Sequence, residues 1–180
     1  MRDDDRSCSD CRRGRPAFNA ARASFAYEGP VRDAVHSLKY YGVSALAADL
    51  AKPMAATLTE WAPPVSTIVP VPVTGHRRRM RGYNQAELLA REVSRLTGIT
   101  LVSRVLRRRR DGTPQAQQRD QASRRENVSG AFALGSLPRA GGVLLIDDVM
   151  TTGATLDACA RALLEGGAGP IYALAFARED

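Results

Sequence analysis

Residues 143–155, Val-Leu-Leu-Ile-Asp-Asp-Val-Met-Thr-Thr-Gly-Ala-Thr, carry the densest chemistry in this 180-residue chain. The opening apolar run predicts a strand covered on both faces. It delivers two adjacent carboxylates, Asp147 and Asp148, then a small hydroxyl-bearing loop, then a predicted helix over 153–166. Backbone N–H groups of such a loop, together with a helix start, form an anion site. Thr151, Thr152 and Thr155 add hydroxyl donors. Gly153 lets the backbone come close to the anion, with Ala154 the small residue beside it. The acids cannot bind a phosphate themselves; they suit neighbouring sugar hydroxyls, or a metal ion held through water. Together the pieces read as a holder for a ribose 5-phosphate.

Three other motifs share part of this pattern and fail on residues. A Walker A loop needs a Lys before its Ser/Thr, and no Lys lies beyond Lys52. A dehalogenase-type phosphatase needs a second Asp two positions after the first, where Val149 stands. A response-regulator receiver needs a later phospho-acceptor Asp and Lys, and only 32 residues follow Asp148.

The elements that must position these groups follow from periodicity. A strand over 22–28, with Phe25 and Tyr27 on one face, reads as a sheet edge. Gly29-Pro30 opens a helix with the stripe Val31, Val35 and Leu38, ended by Gly42. A second helix spans 45–60, with Pro53 a kink or boundary. Residues 66–73 read as a buried strand, followed by a basic loop from His76 to Gly82. Asn84 caps a helix to about Thr97 that turns Leu88, Leu89, Val93 and Leu96 inward. A strand follows over 99–106. Residues 107–127 are polar and punctuated by Gly and Pro, with a short helix expected near 120–126; so long a connection suits a lid. The helix over 153–166 turns Leu156, Ala160, Leu163 and Leu164 inward, with Cys159 also on its inner side, and a last strand covers 170–176. This alternation predicts an α/β domain with a mainly parallel sheet flanked by helices, ligands lying at the strands' C-terminal ends. Residues 1–16 form a short appendage and 17–180 the domain.

Composition narrows the class. The net charge of +7 is unevenly spread. Residues 77–125 hold 14 Arg against four acids, while the remainder is slightly acidic. Such a block attracts polyanions, either a phosphorylated small molecule or nucleic acid. Tyr83 is the only aromatic residue in that block, which disfavours a stacking platform for single strands. No apolar run approaches the roughly 18 residues of a membrane helix. The acidic, polar N-terminus lacks the apolar core of a secretory signal, and three cysteines are too few for a disulfide scaffold, so the cytoplasm is expected.

Residues 143–155 resemble the phosphoribosyl diphosphate (PRPP) signature of type I phosphoribosyltransferases. Further stretches are similar to the competence protein F (ComF) family: Glu28-Gly-Pro-Val-Arg32, Leu38-Lys-Tyr-Tyr-Gly42, Val69-Pro-Val-Pro72, Arg81-Gly-Tyr-Asn-Gln-Ala-Glu-Leu88 and Arg124-Arg-Glu-Asn-Val128. The resemblance covers residues 8–178 and implies a type I phosphoribosyltransferase fold. Asp147 and Asp148 would hold the ribose hydroxyls and, through water, Mg²⁺. Residues 151–155 would hold the 5-phosphate. Arg77, Arg79 and Arg81 would meet the pyrophosphate, and Lys39 either reaches it or caps its helix dipole. Residues 107–127 would be the flexible hood. The reaction implied is displacement of pyrophosphate at ribose C1, with the acceptor unassigned. In hypoxanthine-type relatives an Asp takes the place of Thr151, so that purine specificity is not expected here.

The family has also been tied to DNA uptake in natural transformation. Single-stranded DNA and other competence proteins are therefore the alternative partners beside PRPP, and the oligomeric state stays open, a homodimer included. Cys8-x-x-Cys11 supplies two of the four ligands of a closed zinc site. ComF relatives carry further such pairs upstream, so the pair reads as chance or vestigial, with Zn²⁺ at Cys8 and Cys11 the alternative.

Overall fold

The computed structural model describes residues 15–108, the backbone of 132–134, and 141–179. The elements in chain order are β1 (Ala20–Ala26), α1 (Gly29–Tyr40), α2 (Leu46–Trp61), β2 (Val65–Pro70), α3 (Gly75–Arg81), α4 (Gln85–Thr97), β3 (Thr100–Leu101), β4 (Leu106–Arg108), β5 (Phe132–Leu134), β6 (Gly142–Met150), α5 (Ala154–Glu165) and β7 (Ile171–Arg178). Five strands make one parallel sheet in the order β1-β7-β6-β2-β3, with β6 at its centre. Strands β4 and β5 form a separate antiparallel pair.

Alternation along β6 divides the core. Val143 and Leu145 face Leu156, Cys159 and Leu163 of α5, with Val105 and Leu106 completing that layer. Leu144 and Ile146 face the other way, onto Leu38 of α1, Met54 and Leu58 of α2, and Leu89 and Val93 of α4. The mainly parallel, helix-flanked sheet expected from the sequence is the one observed. Among the described residues no helix is long and apolar enough to cross a membrane.

Several local expectations are corrected. The basic stretch after β2 is not a loop but the short helix α3. Thr74 caps it, its Oγ1 accepting from the Arg77 N–H at 3.3 Å, and Gly82 ends it in the left-handed region at φ 81°. Arginine is a good helix former, so a cap and a stop were enough. The strand expected over 99–106 splits, because only Thr100–Leu101 pairs with β2 and the chain then turns into β4. Arg107 and Arg108, assigned to the hood, lie in that strand. Pro53 sits inside α2 and does not bound it, since Met54 and Leu58 beyond it bury their side chains in the core. Leu96 and Leu164 are exposed, each at the outer margin of its helix's apolar stripe. Tyr27 lies past the end of β1, while Phe25 meets Phe176 edge-on with ring centroids 5.3 Å apart. The zinc alternative at Cys8 and Cys11, the rest of the hood and its short helix lie outside the described residues.

The entry of β6 into the sheet is sterically tight. A Cβ at Gly142 would run into the Pro64 carbonyl oxygen. Backbone cannot yield there as a flexible side chain could. Gly142→Ala is expected to destabilise the protein by about 1–3 kcal/mol, read as a lower urea midpoint with an unchanged m-value.

Candidate functional site

The parallel strands end together on one rim, where β6 carries the acids out of the core. Leu144, Leu145 and Ile146 are fully buried immediately before them. Because strand side chains alternate, the two acids leave on opposite faces. Asp148 turns toward α1, where Lys39 Nζ lies 3.0 Å from its Oδ1. Asp147 turns toward α5 and the β4 side, where the positive charge of Arg108 reaches it. The Asp147 Oδ1 also accepts the Asp148 N–H at 2.8 Å.

Burial pushes the Asp147 carboxyl up to about 8, and the Asp148 charge adds to the rise. The Asp148 N–H, Lys39 and Arg108 pull the other way without cancelling it. On the same side, burial and then the Asp147 charge hold the Cys159 thiol well above its ordinary range, so Cys159 is a core group rather than a nucleophile.

Beyond β6 the chain makes the loop 151–153 and enters α5. Gly153 is the N-cap at φ 73°, a conformation that favours glycine. The Thr152 Oγ1 accepts the Ala154 N–H at 3.4 Å. Thr151, Thr152, Ala154 and Thr155 are all exposed, and the first turn of α5 presents N–H groups that have no partner within a helix. The N-terminal segment braces this corner: the Ala17 N–H donates to Asp157 Oδ1 at 2.6 Å, and the Phe18 ring lies beside Gly153.

The other wall comes from the end of β2 and the end of α1. Asn84 is buried. Its Nδ2 donates to the Val71 carbonyl at 3.0 Å and its Oδ1 accepts the Ala86 N–H at 3.1 Å, which fixes the start of α4 against β2. The Tyr83 hydroxyl donates to the Leu38 carbonyl at 2.6 Å. The Arg81 guanidinium lies 5.0 Å from the Tyr40 ring centroid. These two contacts dock the last turn of α1, whose Lys39 pairs with Asp148, onto the end of α3 and the turn that follows it. Arg77 and Arg79 are exposed on α3, and Arg78 reaches Glu87 at 3.8 Å. Gln85, only 1% exposed, has no partner for its Nε2 among the described residues.

The phosphoribosyl transferase domain family matches residues 79–178, more than half of the chain. The DNA utilization protein YhgH of Salmonella typhi is 31% identical over 170 residues, which span 91% of this chain and 74% of that protein. Competence protein F of Haemophilus influenzae is 35% identical over 115 residues, 62% of this chain and about half (49%) of that one. Competence protein ComFC of Bacillus subtilis is 26% identical over 89% of this chain and 67% of its own length. The chain belongs to the ComF family of phosphoribosyltransferase-like proteins. A hypoxanthine phosphoribosyltransferase from Staphylococcus aureus is a more distant likeness, with TM-score 0.41 and 17% identity over 73% of this chain and 62% of that one.

In this ComF-family chain the fold brings Asp147, Asp148, residues 151–155, Lys39 and Arg81 to one rim, whereas Arg77 and Arg79 project into solvent. Two neighbours escaped sequence reasoning. Tyr40 stands next to Lys39, but nothing local shows that its ring meets Arg81, 41 positions later. Arg108 is one of four consecutive arginines, and nothing in that run singles out the one whose charge reaches Asp147.

The raised carboxyl predicts a pH dependence. Folded Asp147 keeps its proton to about pH 8, whereas the unfolded residue loses it near the usual 3.8. Between those values the folded state binds more protons, so stability contributed by this group falls as pH rises. The thermal midpoint of the ligand-free protein is expected to drop between pH 5 and pH 8.5, and Asp147→Asn to flatten that slope.

Proposed function

We propose that this chain binds PRPP and transfers its 5-phosphoribosyl group to an acceptor, releasing pyrophosphate. The observation that carries the reading is the strand tip: two carboxylates, an exposed hydroxyl loop and a helix N-terminus on one side, and a Lys39–Arg81 corner on the other. The loop and the first turn of α5 would take the 5-phosphate, the acids the ribose hydroxyls, and Lys39 with Arg81 the pyrophosphate. In the transfer, the bond from C1 to the pyrophosphate oxygen breaks and its electron pair leaves with pyrophosphate. A lone pair of the acceptor forms the new bond at C1. Cations fixed at the departing oxygens stabilise the charge that develops there.

Mg²⁺ fits this site as an ion carried by the diphosphate. Among the described residues no cluster of three or more His, Cys, Asp or Glu could cage a metal, while the adjacent carboxylates suit an ion that keeps its waters. Asp147 and Asp148 would meet it through water. When bound, it supplies charge neutralisation of the leaving group.

Calorimetric titration with PRPP and Mg²⁺ tests the reading. Saturable binding is expected in the wild type, weakened by about 100-fold or more in the Asp147→Asn/Asp148→Asn variant, which removes several hydrogen bonds to charged groups. A folded wild type that does not bind overturns it.

A second reading, the handling of single-stranded DNA, is favoured by one specific observation. The basic segment is poor in aromatics, but the fold supplies them from α1: Tyr40 and Tyr41 are 62% and 75% exposed, and Tyr40 meets Arg81 at the end of the arginine helix. Exposed rings beside arginines can stack bases while the cations track phosphates. If this surface binds oligonucleotides, Tyr41→Ala should weaken binding by roughly tenfold. Affinity should also fall steeply and log-linearly with salt in fluorescence anisotropy.

A further inference from the structure

Lys39 joins the acidic tip of the site to the turn of α1 on which Arg81 docks. Its ammonium lies 3.0 Å from Asp148, a mostly buried carboxylate. Arg81 sits on the ring of Tyr40, the residue that follows Lys39. The Lys39 side chain keeps 20% of its surface exposed, so its head reaches the rim while its stem is packed. Its backbone is fixed by the last turn of α1 and by the Tyr83 hydroxyl on the neighbouring Leu38 carbonyl. An ammonium on a four-carbon stem can swing between two acceptors from such a fixed base. In this structure the acceptor is Asp148.

Resting on the PRPP reading above, we propose that Lys39 is the specificity-determining residue by which this site selects a pyrophosphorylated sugar over a sugar monophosphate. Asp148 engaged by Lys39 is a poorer acceptor for ribose hydroxyls. A ligand with a diphosphate at C1 offers Lys39 a more highly charged partner next to Arg81. The ammonium moves to it, and the carboxylate is released to the hydroxyls of the same ligand. Ribose 5-phosphate brings no charge to that end, so it must bind against the intact Lys39–Asp148 pair. One side chain thereby makes occupation of the pyrophosphate end a condition for full use of the ribose end.

The chain's two lysines make the test direct. Lys52 is exposed and pairs with Asp49 on α2, so selective ¹³Cε-lysine labelling gives two signals, assigned with Lys52→Arg. The Lys39 signal is expected to shift with PRPP and with inorganic pyrophosphate, each with Mg²⁺, and to stay in place with ribose 5-phosphate. In calorimetry Lys39→Gln should weaken PRPP binding by roughly tenfold or more, the loss of a charge-assisted hydrogen bond. Its affinity for ribose 5-phosphate should be unchanged or higher. A Lys39 signal that responds equally to ribose 5-phosphate, or a variant in which both affinities fall in step, overturns the proposal in favour of a purely structural ion pair. If Lys39→Gln does not fold, the wild-type spectra decide alone. A wild type that binds PRPP without discriminating against ribose 5-phosphate removes only this inference, whereas one that binds neither removes the PRPP reading beneath it.

Discussion

A dry strand that ends in two carboxylates is the constraint to which the rest of this molecule answers. Strand β6 is the middle of a five-stranded sheet, and Leu144 to Ile146 have no exposed surface. An ionised carboxylate following such a run loses most of its hydration, and an unpaired one would be strongly unfavourable. Strand geometry sends the two acids to opposite faces, so the lysine that pairs directly with Asp148 acts on Asp147 only as one of several partial counterweights. Asp148 receives a lysine from α1. Asp147 accepts a backbone N–H and feels the charges of Lys39 and Arg108, which pull its carboxyl down without cancelling the rise that burial causes.

That division explains why the end of α1 is so firmly tied down. A lysine that neutralises a buried acid must come from a base that does not drift. Two bonds supply it: the Tyr83 hydroxyl to the Leu38 carbonyl, and the Arg81 guanidinium over the Tyr40 ring. They reach across from the end of α3 and from the turn after it, and Asn84 clamps that turn to Val71, just past the end of β2. The chain therefore builds the cationic wall and the acidic tip as one connected rim.

The parts that were legible in the sequence share a cause. Strand β6, the loop 151–155 and helices α4 and α5 are each specified by local signals: an apolar run, a glycine at a left-handed position, an Asn cap, a helical stripe. Their existence and order followed directly. What was not legible depends on contacts far apart in the chain. Nothing near Lys39 decides between capping its helix and reaching the site; the fold sets the end of α1 beside the tip of β6, where Lys39 meets an acid 109 positions later. The turn of 76–82 into a helix was missed because a dense run of arginines reads as a solvated loop. The Thr74 cap and the Gly82 stop give the same residues an ordered alternative. Leu164 and Leu96 looked inward because periodicity alone does not show where an apolar stripe ends.

Holding one acid neutral and pairing the other has a consequence for the long-range field. The segment 77–125 carries a large excess of arginine, and two bare carboxylates at the rim would oppose the potential it creates. With Asp147 protonated and Asp148 matched by Lys39, the tip contributes little net negative charge, and the basic surface can draw in a polyanion over roughly a Debye length. Under the proposed reading, an anionic sugar with its own cation would change that balance, since hydroxyls and a hydrated ion would offer the carboxylates partners other than a proton and Lys39. The different states of the two acids follow from where the strand leaves its core and from which face each side chain takes.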